Sequence, residues 1–313
     1  MSKLNKIFEI KIMLLWFEVL GYTVLLERES SFRILTERET ESEVILRDRL
    51  AQSLRKINPH VSELALQKAI NKLYFYDFKN KINSNNETLQ KYLTQGIDVS
   101  YYFNGKFVFT KVKVIDYTHP LNNDWLAVHQ FSVTADNWHY SPEIVIFING
   151  LPLVVIEVCP GLNKRAIWSF YKNILIYKEK TKKLFYYAQI MIIFQGDEVR
   201  FGQINQSLEQ FQVWSNAEKE QSLFDWKNTR VGFIQDYFDK RYFLHILKAS
   251  IQAKPLGRET LTQLIENHQS SNRFSEENLI KKSKFLRKPQ RKKRLLIPVK
   301  SKILLKRTQI KKL

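Results

Sequence analysis

The chain has 313 residues, with 50 Lys and Arg against 31 Asp and Glu, for a formal net charge of +19. Its 44% hydrophobic and 13% aromatic content excludes wholesale disorder, and its length suits one large domain or two ordinary ones. A lone cysteine, Cys159, excludes an intrachain disulfide and a multi-cysteine zinc cage, while nine glycines leave little for glycine-rich nucleotide loops.

The charge is unevenly spread. Residues 281–313 hold fifteen Lys and Arg and no acid, leaving only +4 for residues 1–280. Such a tail binds polyanions through counterion release, with Arg291, Lys292, Lys293 and Arg294 as its densest cluster. An incidental, solvated extension is an equally open reading. At the other end, the apolar stretch Ile12–Leu20 is interrupted by Glu18 and followed by no cleavage site, so it does not read as a secretory signal. No run of about 18 uncharged apolar residues suggests a membrane span. The expectation is a soluble, cytoplasmic protein with no membrane partner.

In chain order, Phe8–Leu20 has apolar residues at helical spacing and stops at Gly21-Tyr22. A second helical stretch is expected from Thr40 through Leu54, ending near Asn58-Pro59. A third spans Ser62–Leu73, with Ser62 as N-cap, and a fourth covers about Thr88–Leu93. From Ile97 the period changes to two, and Asn104-Gly105 is a hairpin turn returning through Lys106–Ile115. Further strands are expected at Asn122–Val133, Ile144–Ile148, Leu153–Cys159 and Tyr186–Phe194. Helices are expected at Asn163–Tyr177 and about Phe233–Ile251. This order describes an α+β domain, α/β-like, with a mixed sheet. The expected organisation is a helical part over 1–95, a sheet-containing core over 96–252 and a poorly ordered basic tail over 253–313.

The informative stretch is Ser141–Cys159, where two apolar strands meet at Asn149-Gly150. Glu143 begins the first strand and Glu157 nearly ends the second, so a hairpin brings the two acids together. Alternation puts Glu157 and Cys159 on one face. A carboxylate closing an apolar strand is expensive unless it is paired, hydrogen-bonded or metal-bound. Two such groups make a hard-oxygen site suited to Mg²⁺, and a structural salt bridge is equally open on these grounds.

Several short motifs point further: Leu20-Gly21-Tyr22, the Ser42–Leu46 stretch read as helical, Ile57-Asn58-Pro59, Gly96–Val99, Ile115-Asp116-Tyr117, Pro120–Asp124, Gln130-Phe131 and above all Phe147–Glu157. From about Trp16 to Ile251 the chain resembles the N-terminal nuclease domain of the R (restriction) subunit of type I restriction–modification enzymes. The resemblance implies a PD-(D/E)xK restriction-endonuclease-like core and Mg²⁺-dependent cleavage of double-stranded DNA. It also implies a complex with methyltransferase and specificity subunits. Glu143 and Glu157 fall at the positions of the two metal-holding acids. Asn173 and Tyr177 fall on the family's Q-x-x-x-Y motif, which engages nucleic acid.

The chain departs from that pattern. Glu143 stands where the family has aspartate, Cys159 where it has the lysine that orients or polarises the attacking water, and Asn173 where it has glutamine. A displaced ligand costs about 10²-fold in rate, and a lost charged group about 10²–10³-fold. No GxxxxGK[ST] loop of the kind used by the family's ATP-driven motor occurs in these residues, so no ATP site is expected here. The expectation is a truncated, catalytically impaired DNA-binding fragment. A non-catalytic DNA- or complex-binding module and an inactive remnant are the alternatives. Lys164, Lys172, Lys111 and Lys113 are the lysines considered as substitutes for the missing one.

Other polar residues read as local structure. Asp116, Asp124 and Asp136 are expected in turns or caps, and His119, His129 and His139 lack partners for a zinc site. Trp138 and Tyr140 are expected to pack more than to stack on bases, and Cys159 to be a small, partly buried strand residue.

Overall fold

The computed structural model describes residues 3–26, 37–74, 82–196, 198–214 and 229–252. The basic tail, including Arg291, Lys292, Lys293 and Arg294, lies outside the described residues. So does the rest of 253–313.

Helix α1 (Lys3–Val19) leads into β1 (Thr23–Leu25), followed by α2 (Arg47–Ile57), α3 (Glu63–Tyr74) and α4 (Ile82–Gln95). A hairpin of β2 (Ile97–Phe103) and β3 (Lys106–Val112) precedes β4 (Trp125–His129) and the short pair β5 (Val133–Ala135) and β6 (Trp138–Tyr140). Then come β7 (Ile144–Ile148), β8 (Leu151–Val158), α5 (Lys164–Lys180), α6 (Lys182–Tyr187) and β9 (Ile190–Gln195). Strands β10 (Glu198–Gln203) and β11 (Gln212–Trp214) and helices α7 (Thr229–Tyr237) and α8 (Lys240–Gln252) complete the described elements.

Among the described residues, seven strands form one mixed sheet in the order β1-β4-β7-β8-β9-β10-β11. The β1–β4 and β8–β9 pairs are parallel and the others antiparallel. Every residue of β7, β8 and β9 is buried. Covered on both faces, they read as nearly continuous apolar runs rather than as an alternation. This is the helix-flanked mixed sheet of a restriction-endonuclease-like core.

Each end of the sheet is locked differently. On α1, Ile10, Met13, Leu14 and Phe17 form the buried stripe. Phe17, Tyr22 and Phe238 meet edge-to-face, and the Tyr22 hydroxyl donates to the carbonyl of Phe238 at 3.0 Å. At the β7–β8 turn, buried Asn149 donates to Val114 O and Asn123 Oδ1, both at 2.8 Å, and accepts from Asp124 N at 2.8 Å. Gly150 (φ +77°) lies against the start of α2, where Leu46 N donates to Gly150 O at 3.0 Å. Only a residue without a Cβ allows that approach.

Several expected boundaries move. The stretch from Thr40 is not helical before Arg47, because buried Arg38 takes the carbonyls of Glu41, Glu43 and Ser132 and holds 40–46 as turns. The expected strand Asn122–Val133 instead comprises the end of a 3₁₀ turn (Pro120–Asn122), β4, and a break at Gln130, whose φ is +52°. Tyr186-Tyr187 closes α6 rather than opening β9. The expected final helix is two, since Asp239 Oδ1 accepts from the N–H groups of Arg241 and Tyr242 and starts α8. The return strand of the first hairpin ends at Val112 rather than Ile115.

Candidate nuclease site

The register of β7 and β8 pairs Ile144 with Ile156, which sets Glu143 and Glu157 opposite each other one step beyond. The main-chain N–H of Glu143 donates to the Glu157 carboxylate. Both acids are almost enclosed, 8% and 6% exposed. The folded-back ribbon thus brings the two acids side by side.

Their surroundings differ. The Tyr140 hydroxyl donates to Glu157 Oε1 at 2.6 Å. Burial pushes the Glu157 carboxyl up to about 8, with the Tyr140 hydrogen bond opposing and the Glu143 charge reinforcing the rise. Glu143 Oε1 pairs with the ammonium of Lys6 on α1, while Glu143 Oε2 is buried without a hydrogen-bond partner. Of the two options open on the sequence, the salt bridge is present on one oxygen of Glu143, and the other oxygen is left without a partner.

Cys159 is fully buried and its backbone N–H donates to Phe194 O at 2.8 Å. Burial pushes the thiol up, against smaller lowering effects of a backbone hydrogen bond from Gly161 and of the Lys6 charge. The side chain at the lysine position is therefore a neutral thiol near pH 7. Lys164, Lys172 and Lys113 are exposed, and Lys111 pairs with Asp98 at 3.1 Å. The cation beside the two acids is Lys6, which sequence reasoning missed. It sits one helical turn before Ile10 on the buried stripe of α1, and a lysine on an apolar stripe is the signal that marks it.

On α5, the Tyr177 ring stacks on Tyr140 with centroids 4.7 Å apart, and Phe185 stacks behind Tyr140 at 5.5 Å. Tyr177 thereby contacts the residue that holds Glu157. Asn173 is exposed on the same helix, one turn before Tyr177. Trp138 meets Tyr177 edge-to-face at 6.4 Å and has Lys180 over its ring at 5.3 Å, so the Trp138–Tyr140 strand packs against α5. Tyr140, expected simply to pack, is also the hydrogen-bond donor of the site.

The remaining acids are structural. Asp116 accepts from the N–H groups of Thr118 and His119, Asp124 pairs with Arg49 at 3.1 Å, and Asp136 sits at φ +51° in the β5–β6 turn.

Two adjacent carboxylates suit a hard divalent ion such as Mg²⁺, which keeps several waters and commonly takes one or two carboxylates plus substrate phosphate. The orphaned Glu143 Oε2 fits that donor set. No group of three or more His, Cys, Asp or Glu placed to hold a metal occurs among the described residues.

The candidate site is thus an acid pair at the ends of two central strands, with a helix carrying Tyr177 beside it. Residues 7–210 match the family described as type I restriction enzyme R protein N terminus, and the chain belongs to that family. It is 29% identical over 181 residues to the type I restriction enzyme HindI endonuclease subunit of Haemophilus influenzae, an alignment covering 57% of this chain and 17% of that protein. It is 28% identical over 197 residues to a protein designated the type I restriction enzyme MjaIXP endonuclease subunit of Methanocaldococcus jannaschii, covering 60% and 18%. The chain thus spans under a fifth of the length of these relatives. The R-subunit-like assignment follows from the family. Among the described residues, no helix is long and apolar enough to cross a membrane.

Proposed function

We propose that this chain is a DNA-binding, nuclease-type module of type I restriction, acting on double-stranded DNA with Mg²⁺ and cleaving it slowly. Glu143 and Glu157 hold the ion. When bound, Mg²⁺ neutralises charge on the phosphodiester and acidifies a water. Tyr140 fixes the orientation of Glu157, and Tyr177 fixes Tyr140. Asn173, exposed on α5, and the cluster Arg291, Lys292, Lys293 and Arg294 contribute DNA contacts. Methyltransferase and specificity subunits of a type I complex are the protein partners, and the setting is cytoplasmic. ATP use belongs to the long subunits of this family and not to the residues of this chain.

The observation that carries this reading is the contact between Glu143 and Glu157, with one carboxylate oxygen buried and unpartnered. Two departures slow the chemistry. The Glu143 stem is one methylene longer than aspartate, which shifts a ligand and costs about 10²-fold. Cys159 brings no cation.

The test measures duplex-DNA affinity in EDTA and in Ca²⁺, and plasmid nicking in Mn²⁺, for the full chain and for Glu143→Gln and Glu157→Gln. Ca²⁺ is expected to tighten binding in the native chain and not in either variant, with slow nicking that both variants abolish. DNA binding that ignores divalent ions and both substitutions overturns the proposal.

A further inference from the structure

The strand that should supply a cation to this site ends in a neutral thiol, yet the site holds one. Lys6 lies one turn before Ile10 on the inward stripe of α1, its side chain 29% exposed. Its ammonium pairs with Glu143, and its charge also acts on Glu157 and on Cys159, lowering the pKa of both groups against the upward push of burial. One ammonium is therefore felt by all three residues that occupy the family's acid, acid and lysine positions. Among the described residues, no other Lys or Arg forms an ion pair with either glutamate.

We infer that Lys6 is the cation of this site, delivered by α1 in place of the charge that Cys159 does not supply. The inference rests on the function proposed above and adds a positioning residue to it. Two acids that are both ionised, as ion binding requires, repel a phosphodiester. A fixed ammonium beside them offsets that repulsion and favours the negative charge that develops on the phosphate. The same charge arrives from a different element: an N-terminal helix rather than the end of β8.

A bland role for Lys6 is a tether joining α1 to β7, and the two roles give different results. The variants are Lys6→Met, which removes charge and hydrogen bonds, Lys6→Gln, which keeps a hydrogen bond to Glu143 without the charge, Lys6→Arg, and the double variant Lys6→Met with Cys159→Lys. All are measured on the full chain for thermal stability, Ca²⁺-dependent duplex affinity, the salt dependence of that affinity, and Mn²⁺ nicking. Lys6→Met and Lys6→Gln are expected to lose about tenfold of the Ca²⁺-dependent affinity and to lower the salt slope by about one. Lys6→Arg should stay near the native chain, and Cys159→Lys should restore affinity, slope and nicking in the Lys6→Met background.

If Lys6→Gln binds DNA as the native chain does, or the double variant shows no recovery while folded, Lys6 is a tether and the inference fails. The proposed function then still stands on the Ca²⁺ response of the native chain and its loss in Glu157→Gln. If the native chain shows no such response, that function fails first, and the inference with it. Should Lys6→Met not fold, the Lys6→Gln and Lys6→Arg pair decides the matter.

Discussion

Tyr140 donates its hydroxyl to Glu157 Oε1 at 2.6 Å while its ring stacks on Tyr177. One residue thus joins a strand acid to the helix that carries the family's tyrosine. Tyr140→Phe keeps both ring stacks and removes only the donor. The buried carboxylate then loses a hydrogen bond worth about 1–2 kcal/mol, read as a lower urea midpoint. On the proposed function Glu157 holds the ion, and a group that orients such a carboxylate is worth roughly 10–100-fold in metal affinity, so Mn²⁺ binding should weaken by about tenfold. Unchanged Mn²⁺ affinity would mean that Tyr140 serves packing alone.

Gly150 and Gly105 both have φ +77° in Asn-Gly turns, but they stand in different surroundings. A Cβ on Gly150 would lie 2.5 Å from Leu46 O and 2.8 Å from Leu50 N, both backbone atoms of the α2 start, whereas one on Gly105 would meet only Tyr102 Oη at 3.9 Å. Gly105→Ala carries the left-handed penalty alone, about 1–2 kcal/mol. Gly150→Ala adds a clash that backbone must move to relieve, so its loss should exceed about 3 kcal/mol. Equal losses in chemical denaturation would show that the α2 start yields easily.

The paired acids were legible because Asn149-Gly150 sits between two apolar runs with a glutamate near each outer end, a pattern that depends only on local turn chemistry and strand period. Lys6 was not legible as a member of the site, because nothing local connects α1 to the start of β7. The long-range packing of the Ile10–Phe17 stripe makes that link. The Thr40–Leu46 stretch resembled a helix start, but the turn carbonyls it presents are claimed by Arg38, a tertiary contact that overrides local preference. Tyr186-Tyr187 looked like strand for the opposite reason: aromatic residues favour strands on average, yet here they close a six-residue helix whose Leu184, Phe185 and Tyr187 are buried. Strand β10 alternates polar and buried apolar residues only over Glu198-Val199-Arg200-Phe201 before Gly202, too short a run to declare itself.

Asp116 gives a pH prediction away from the acid pair. Its Oδ1 accepts from the N–H groups of Thr118 and His119, both at 3.0 Å, and Oδ2 accepts from Asn122 Nδ2 at 2.8 Å. Burial pushes this carboxyl up, but the three donors outweigh it and the net shift is downward from 3.8. Folding therefore favours the charged form. The stabilisation is present above the ordinary value of 3.8 and is lost as pH falls through the lower folded value. Asp116→Asn should cost about 1–2 kcal/mol at pH 7, and the gap from the native chain should narrow below about pH 4. Urea unfolding at pH 7, 5 and 3 checks this, and a gap independent of pH would mean that the charge on Asp116 contributes nothing.

Cys159 closes β8 with no exposed surface, its thiol pushed above the ordinary range mainly by burial. Thiolate is the reactive form, so the side chain is protected twice, by enclosure and by protonation. Iodoacetamide at pH 8 should therefore modify the native chain at least about 100-fold more slowly than the urea-unfolded chain, with the native rate following local opening. Intact-mass measurement over time reads both rates from the single thiol. A native rate close to the unfolded one would place Cys159 in contact with solvent. It would then no longer be the inert neighbour whose missing charge Lys6 is inferred to supply.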